Sequence, residues 1–210
     1  MADTKIIKID PKNPDRKLLW YIAKIIESGG IVVYPTETSY GIGTNAVNAA
    51  AVKRLRAIRK PSGKPISIIV SGIEMMRKYG VMTKKIEKLV KKFMPGPLTI
   101  IANKKGTIPK ILNKTEIAFR ISSHPVAAII AEYSDVPVTA ASANPEGKPP
   151  AFDVKKVMEY FDGKVDAVVD SGKLKKAKAS TMVDMKGREP KLVRAGPISF
   201  KKIKSSLSRP

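Results

Sequence analysis

The stretch GGIVVYPTETSYGIGTNA (residues 29–46) places a hydrophobic run directly before a cluster of hydroxyl-bearing side chains. The β-branched run at residues 31–34 predicts a buried strand. Thr36, Thr38, Ser39 and Tyr40 follow that strand at once. Ligands of open α/β sheets bind beyond the carboxyl ends of strands, so the stretch predicts one wall of a ligand crevice. A capped turn, which Thr, Ser and Gly also favour, is the alternative that stays open.

Helices and strands alternate on both sides of this stretch. Apolar residues recur at helical spacing between Asn13-Pro14, which predicts a helix start, and Gly29. Such alternation is typical of an α/β fold in which some strands are covered on both faces. Further helices are predicted to start after the N-caps Asn48, Thr83 and Asp153, at Pro125 and at Ser199, and further strands at residues 66–70, 98–102, 117–121, 136–142, 167–170, 181–184 and 191–194.

The length and the loops of the chain predict one domain. A chain of 210 residues can bury a large single core. The Pro- and Gly-rich loop at residues 144–153 and the basic loop at residues 172–180 do not separate two hydrophobic cores. We therefore expect a single domain over residues 1–210.

The charge of the chain favours anionic partners. Lys and Arg number 40 against 18 Asp and Glu, a net charge of +22, which attracts nucleotides and RNA. A solvated lysine surface is the alternative reading of the same composition. The chain has no cysteine and no apolar run of the roughly 18 residues that a membrane span needs. We expect a cytoplasmic protein that does not contact membranes.

A second candidate site lies in RAIRKPSGKPIS (residues 56–67), where basic residues surround a Pro-Ser-Gly turn. Such a loop can bind a polyphosphate through charge and backbone N–H groups, although a solvated loop gives the same pattern. The sequence contains neither a Walker A loop nor a GxSxG elbow. The lone His124 cannot form a two-histidine metal motif and fits a structural turn residue at a helix start. No metal site is predicted.

Six motifs follow one another along the chain: GGIVVYPTETSYGIG (29–43), MPGPLTII (94–101), FRISSHP (119–125), TAASANPEGKPP (139–150), STMVD (180–184) and LVRAGPI (192–198). Together, in this order, they resemble the YrdC-like threonylcarbamoyl-AMP synthases. The resemblance runs from about residue 15 to residue 198 and leaves a short basic tail at residues 199–210. Longer members of the family carry an additional C-terminal domain, and we expect this chain to resemble the short form without it.

The resemblance implies a nucleotidyltransferase that condenses L-threonine, bicarbonate and ATP into threonylcarbamoyl-AMP and pyrophosphate. Partner proteins would then transfer the threonylcarbamoyl group to an adenosine of tRNA. The implied fold is a twisted open mixed sheet with flanking helices around a large basic cavity. Because the reactants need only positioning and charge neutralisation, no catalytic nucleophile is expected, and Mg²⁺ would be held largely by phosphates and water.

The family motifs also imply which residues bind each substrate. Arg120 is similar to the arginine that clamps the threonine carboxylate. The loop ending in Ile58-Arg59-Lys60-Pro61 departs from the family's K-x-R-P pattern, which leaves the separate roles of its basic residues open. The implied threonine-binding residues are Thr36, Ser67, Arg120 and Ser180, and the implied ATP-binding residues are Arg59, Lys60, Lys64, Ser142, Asn144 and Arg194.

Two other functions compete with the synthase. Carbamoyl transfer, as in the YrdC-like domains of hydrogenase maturation proteins, would require a larger chain with zinc-finger-like modules, and this chain has no cysteine. A non-catalytic protein that binds double-stranded RNA or tRNA through phosphates would explain the net charge without ATP. Charge reversal at Lys173, Lys175, Lys176 and Lys178 is predicted to separate RNA binding from catalysis.

Overall fold

The computed structural model describes residues 3–59 and 65–208. Lys60 and Lys64, two of the predicted ATP-binding residues, lie outside the described residues. The helices are α1 (Arg16–Glu27), α2 (Ala49–Arg59), α3 (Ile73–Tyr79), α4 (Lys84–Phe93), α5 (Pro125–Tyr133), α6 (Val154–Phe161) and α7 (Phe200–Ser208). The strands are β1 (Lys5–Lys8), β2 (Val32–Pro35), β3 (Tyr40–Gly43), β4 (Ser67–Ile69), β5 (Leu98–Asn103), β6 (Glu116–Arg120), β7 (Val138–Thr139), β8 (Ala141–Ser142), β9 (Ala167–Asp170), β10 (Thr181–Asp184) and β11 (Lys191–Arg194).

The strands form two mixed sheets. The first has the order β1-β9-β2-β3-β8, and the second has the order β11-β10-β5-β6-β4-β7. Each contains parallel and antiparallel pairs: β2 runs parallel to β9 and antiparallel to β3, while β5 runs parallel to β10 and antiparallel to β6. The mixed α/β fold is thus confirmed, with its strands divided between two sheets.

Strand β2 is covered on both faces, as its uninterrupted apolar sequence predicts. Val33 packs into a large core with Ile68, Ile100 and Phe119 of the second sheet. Successive side chains of a strand point to opposite faces, so Val32 packs instead into a second core that α1 and α5 help to form. The first sheet is therefore buried between the second sheet and this helix pair.

Side chains at the helix starts explain most of the observed helix boundaries. Thr83 accepts a hydrogen bond from the Ile86 N–H, and Asp153 accepts one from Lys156, so both predicted N-caps are confirmed. The Asn48 side chain likewise accepts from Ala51. The predicted start at Asn13-Pro14 is wrong, because Asp15 caps α1 by accepting from Lys17 and Leu18.

The single strand predicted at residues 136–142 is in fact two short strands in different sheets. Strand β7 pairs with β4 of the second sheet, whereas β8 pairs with β3 of the first. Ala140 lies between them, and its N–H donates to the Ser67 carbonyl. The chain therefore passes from one sheet to the other at Ala140, a crossing that an apolar run cannot reveal.

Three elements were not predicted: the edge strand β1, the strand β3 and the short helix α3. Strand β1 is mostly exposed and rich in lysine, which removes the apolar signal of a strand. Strand β3 has the sequence YGIG, and its two glycines beside several hydroxyl-bearing residues indicate a loop rather than a strand. Among the described residues, no helix combines the length and the apolar character that a bilayer span requires.

Candidate functional site

A cavity of about 320 Å³ opens where the two sheets meet. Ala140 and Ala141, at the crossing between β7 and β8, form part of its lining. The volume is at the lower end of the range that is usual for small-molecule sites. All eight predicted site residues that the structure describes line this cavity: Thr36, Arg59, Ser67, Arg120, Ser142, Asn144, Ser180 and Arg194.

Thr36 closes the turn between β2 and β3. Its Oγ1 donates to the Ser39 carbonyl at 2.7 Å and accepts from the Thr38 N–H at 3.2 Å. The backbone N–H of Thr36 also donates to the Ser39 carbonyl. The two interpretations of residues 29–46, a capped turn and a wall of a ligand crevice, are therefore compatible, because the hydroxyls cap a turn and that turn lines the cavity.

Arg120, at the end of β6, is held by a partly buried carboxylate from this turn. An Arg120 Nη2 lies 2.9 Å from Glu37 Oε1 and donates to Thr38 Oγ1 at 3.1 Å. Ser122 donates to the second Glu37 oxygen at 2.5 Å. Burial alone would raise the pKa of the Glu37 carboxyl, but Arg120 and Ser122 together hold that pKa below its ordinary value. Glu37 is therefore ionised at neutral pH.

Ser180 and Arg194 form a second polar unit on the same cavity. Arg194 Nε donates to the Ser180 carbonyl at 3.0 Å, and Nη2 donates to the Ser180 hydroxyl at 2.9 Å. That hydroxyl also shares a hydrogen bond of 2.7 Å with the buried Thr99 hydroxyl on β5. Burial, and then the nearby Arg120, lower the pKa of the Arg194 guanidinium. An anionic ligand between these two guanidinium groups would favour the charged form of Arg194.

Two buried polar atoms at the other end of the cavity lack a hydrogen-bond partner within the described residues. They are Nε of Arg59, at the end of α2, and Oδ1 of Asn144. The Asn144 Nδ2, by contrast, donates to the carbonyls of Pro145 and Lys148, so the side chain is oriented. A buried polar atom without a partner is costly, and a ligand in the cavity can supply one.

Tyr40, which lines the cavity, hydrogen-bonds the first residues of the basic segment 171–180. Its hydroxyl accepts from the Ser171 N–H at 3.1 Å and donates to the Gly172 carbonyl at 2.7 Å. Burial raises the pKa of Tyr40 to about 12, so the hydroxyl keeps its proton. Ala177 and Ala179 of this segment line the cavity, while the neighbouring lysines 173, 175, 176 and 178 are exposed.

His124 lies outside the cavity lining, at the N-cap of α5. Its Nδ1 is buried and has no partner among the described residues. Burial lowers the pKa of the imidazole below 6.5, so His124 is neutral at pH 7. This placement agrees with the interpretation of His124 as a structural residue at a helix start.

Sequence reasoning missed Glu37 and Thr99 as members of these polar units. Glu37 stands inside the PTETSYG motif, and an acidic residue among the hydroxyl-bearing side chains of the predicted crevice wall was the available signal. Thr99 is the polar residue of the buried strand LTII and is 1% exposed. A hydroxyl in such a strand needs a partner, and that requirement was the available signal for Thr99.

Fold and site together define a mixed α/β protein in which separate loops bring hydroxyls and arginines to one ligand cavity. The sequence family described as "Telomere recombination", which groups Sua5, YciO and YrdC proteins, matches residues 24–196. This match covers most of the chain. The chain therefore belongs to the Sua5/YciO/YrdC family, as its motifs predict.

Individual relatives agree with this family. A Methanocaldococcus jannaschii protein, named provisionally as a threonylcarbamoyl-AMP synthase, is 40% identical over 95% of this chain and 96% of its own length. The threonylcarbamoyl-AMP synthase of Pyrococcus abyssi is 34% identical over 88% of this chain, which spans 56% of that relative. The predicted class, a nucleotidyltransferase-type enzyme, is confirmed by these relatives.

A solved structure extends the comparison to the fold. The crystal structure of P. abyssi Sua5 complexed with L-threonine superposes with a TM-score of 0.92 at 31% identity. The match covers 98% of this chain and 61% of that chain. Nearly all of this chain thus has a counterpart in a protein that was crystallised with an amino acid.

Proposed function

We propose that this protein is a threonylcarbamoyl-AMP synthase, which converts L-threonine, bicarbonate and ATP into threonylcarbamoyl-AMP and pyrophosphate. The observation that carries the proposal is the convergence of eight predicted site residues, from separate parts of the chain, on one cavity. The names of the relatives and the threonine complex of P. abyssi Sua5 support it.

The threonine end of the proposed site is built around Arg120. Within residues 3–59 and 65–208, Nη1 of Arg120 has no hydrogen-bond partner, while Nε and Nη2 face Glu37 and Thr38. Nη1 is therefore the atom that can bind the threonine carboxylate. The Ser67 hydroxyl donates to the Ala140 carbonyl at 2.8 Å, so its oxygen can accept from the substrate. Thr36 and Ser180 complete this end.

The ATP end of the proposed site contains Arg59, Ser142, Asn144 and Arg194, together with Lys60 and Lys64 outside the described residues. The unpartnered Arg59 Nε and Asn144 Oδ1 are a donor and an acceptor. Phosphate oxygens suit the donor and an adenine amino group suits the acceptor. Arg194, which hydrogen-bonds Ser180, joins this end to the threonine end.

The proposed chemistry needs positioning rather than a protein nucleophile. The threonine amine bonds to the bicarbonate carbon and water leaves, which gives a carbamate. A carbamate oxygen then bonds to the α-phosphorus of ATP as the bond to the pyrophosphate oxygen breaks. Bound reactants in the correct orientation gain a large advantage over free ones, and the arginines can neutralise the charge that develops.

Mg²⁺ accompanies ATP in this proposal. The described residues contain no group of three or more His, Asp or Glu side chains that could hold a metal ion. Mg²⁺ commonly keeps several waters and binds phosphate oxygens, so it would enter with the triphosphate and help to neutralise it. We assign it no ligand from this chain.

We place the reaction in the cytoplasm, as the first step of tRNA threonylcarbamoyladenosine formation. Separate transfer proteins would carry the product's acyl group to tRNA. We also propose that residues 1–210 act as one YrdC-like domain, since the two sheets share one core and one cavity.

Pyrophosphate release tests this proposal. The protein is incubated with ATP, Mg²⁺, bicarbonate and L-threonine, and each reactant is then omitted in turn. We expect release to require both threonine and bicarbonate. L-Valine should support little release, because a site that hydrogen-bonds the substrate hydroxyl discriminates strongly against analogues that lack it. Pyrophosphate release without dependence on threonine would overturn the proposal.

A binding function for RNA is the second candidate. The observation that favours it is the set of exposed lysines at positions 173, 175, 176 and 178, next to the cavity-lining Ala177 and Ala179. Such a segment can contact the phosphates of a duplex without ATP. Binding of duplex RNA that falls steeply with salt, with no pyrophosphate release, would favour this function over the synthase.

A further inference from the structure

Glu37 is a partly buried carboxylate that the synthase reaction does not use directly. It lies outside the cavity lining, behind Arg120, with which it forms an ion pair whose side chains are 15% and 8% exposed respectively. Glu37 Oε1 accepts a hydrogen bond from Nε of Arg120 at 3.3 Å and lies 2.9 Å from Nη2. The carboxylate thus occupies one edge of the guanidinium and leaves Nη1 for another partner.

The Glu37 carboxylate is itself fixed in place. Ser122 donates to its Oε2, and the turn that carries Glu37 is closed by Thr36. Thr38, next in sequence, accepts from the same Arg120 Nη2. A guanidinium held by a carboxylate and a hydroxyl on two of its nitrogens cannot rotate without breaking these bonds.

We infer that Glu37 is a positioning residue that orients Arg120 for the carboxylate of the amino-acid substrate. This inference rests on the proposed function. Glu37 touches Arg120 and not the ligand, so it acts through the geometry of Nη1. Its effect is confined to ligands that carry a carboxylate, and it leaves the ATP end of the cavity unchanged.

The direction in which threonine affinity changes when Glu37 is replaced distinguishes positioning of Arg120 from simple electrostatics. Removal of a negative charge near a carboxylate site tightens carboxylate binding if charge alone matters. Loss of orientation weakens it, because a mobile arginine loses entropy when it binds. Glu37→Gln keeps an oxygen that can accept from Arg120, whereas Glu37→Ala removes both the charge and the acceptor. Positioning therefore predicts weaker threonine binding in Glu37→Ala and no weakening in Glu37→Gln.

The test is calorimetric titration of the full chain with L-threonine, with L-threoninol, which lacks the carboxylate, and with ATP. For Glu37→Ala we expect about tenfold weaker binding of threonine, the usual scale for one lost charge-assisted hydrogen bond. Threoninol and ATP should bind as they do to the wild type. Glu37→Gln should bind threonine at least as tightly as the wild type, and it keeps the test valid if Glu37→Ala fails to fold.

Glu132→Ala is the matched control, since it removes the carboxylate of an exposed ion pair with Arg16. It should bind all three ligands as the wild type does. Equal losses for threonine and threoninol in Glu37→Ala, tighter threonine binding in that variant, or weaker threonine binding in Glu37→Gln would each overturn the inference. Wild-type protein that binds no threonine would overturn the proposed function and the inference together.

Discussion

Arg194 binds Ser180 at two atoms, with Nε on the backbone carbonyl at 3.0 Å and Nη2 on the hydroxyl at 2.9 Å. Arg194 ends the exposed edge strand β11, and Ser180 immediately precedes β10. The family motifs assign Arg194 to ATP and Ser180 to threonine. The two proposed subsites are therefore physically continuous.

This contact predicts strong coupling between the two residues. Ser180→Ala and Arg194→Lys should each lower kcat/KM for pyrophosphate release by about 10- to 100-fold, the range expected for one hydrogen bond to a charged group. The double variant should lose much less than the product of the two effects, because either change breaks the same contact. Effects that multiply would show that Arg194 and Ser180 act independently.

Arg120→Lys should weaken L-threonine binding by about tenfold or more. A lysine cannot keep its contacts with Glu37 and Thr38 while presenting a second nitrogen to the carboxylate, since an ammonium lacks the planar fork of a guanidinium. Isothermal calorimetry with threonine measures the effect, and titration with ATP is the internal reference. Unchanged threonine affinity would exclude Arg120 as the carboxylate ligand.

Gly196→Ala should lower both stability and activity. An added Cβ would collide with the backbone of Ala179 and Thr181, which cannot move aside as a side chain can. We expect a loss of about 1–3 kcal/mol in the free energy of unfolding, measured by urea denaturation, and displacement of Arg194 two residues away. Gly106→Ala is the control, since a Cβ there meets no atom within 4 Å. Equal stabilities for the two variants would contradict the prediction.

His124 should make the protein less stable as the pH falls below about 6.5. Burial lowers the pKa of the folded imidazole, with Glu37 opposing that shift, so the unfolded chain binds a proton at a higher pH than the folded chain does. The free energy of unfolding then decreases as pH falls through this window. His124→Gln should show a shallower decrease between pH 7 and pH 5, measured by urea denaturation. Glu37, whose pKa is below 4.5, contributes only at lower pH. Identical slopes for variant and wild type would exclude this role.

Charge reversal at Lys173, Lys175, Lys176 and Lys178 should weaken binding of duplex RNA while pyrophosphate release is retained. These side chains are exposed and charged, whereas the cavity-lining residues of the same segment, Ala177, Ala179 and Ser180, carry no charge. Reversing four charges should also flatten the dependence of RNA affinity on salt. Filter binding at several salt concentrations measures this, with pyrophosphate release in parallel. Loss of both activities together would show that they share one site.

The sequence predicted those parts of the site that follow from strand ends. Thr36 and Ser142 come directly after apolar runs, and hydroxyls in that position indicate a shared sheet edge. The partners of Arg120 could not be predicted in this way, because Glu37 is 83 residues away in the chain and only the packing of the two sheets brings it close. The roles of Lys60 and Lys64 stay predictions.

Local signals also explain which elements of the fold were predicted. Asp153 and Thr83 cap helices through bonds to residues three positions ahead, which a sequence window contains. The division of residues 136–142 between two sheets depends instead on β4 and β3, which are distant in the chain. Pairing with these two distant strands therefore divides an apolar run that the local sequence predicts as one strand.

The crossing at Ala140 has a mechanical consequence. Thr36 belongs to the β2–β3 hairpin of the first sheet and Arg120 to the second sheet. Both residues line the cavity, as does Ala140. A ligand that contacts both residues would link the two sheets, which already share a short stretch of backbone at Ala140. The backbone amides of β7 and β8 should then exchange their hydrogens more slowly when a ligand occupies the cavity.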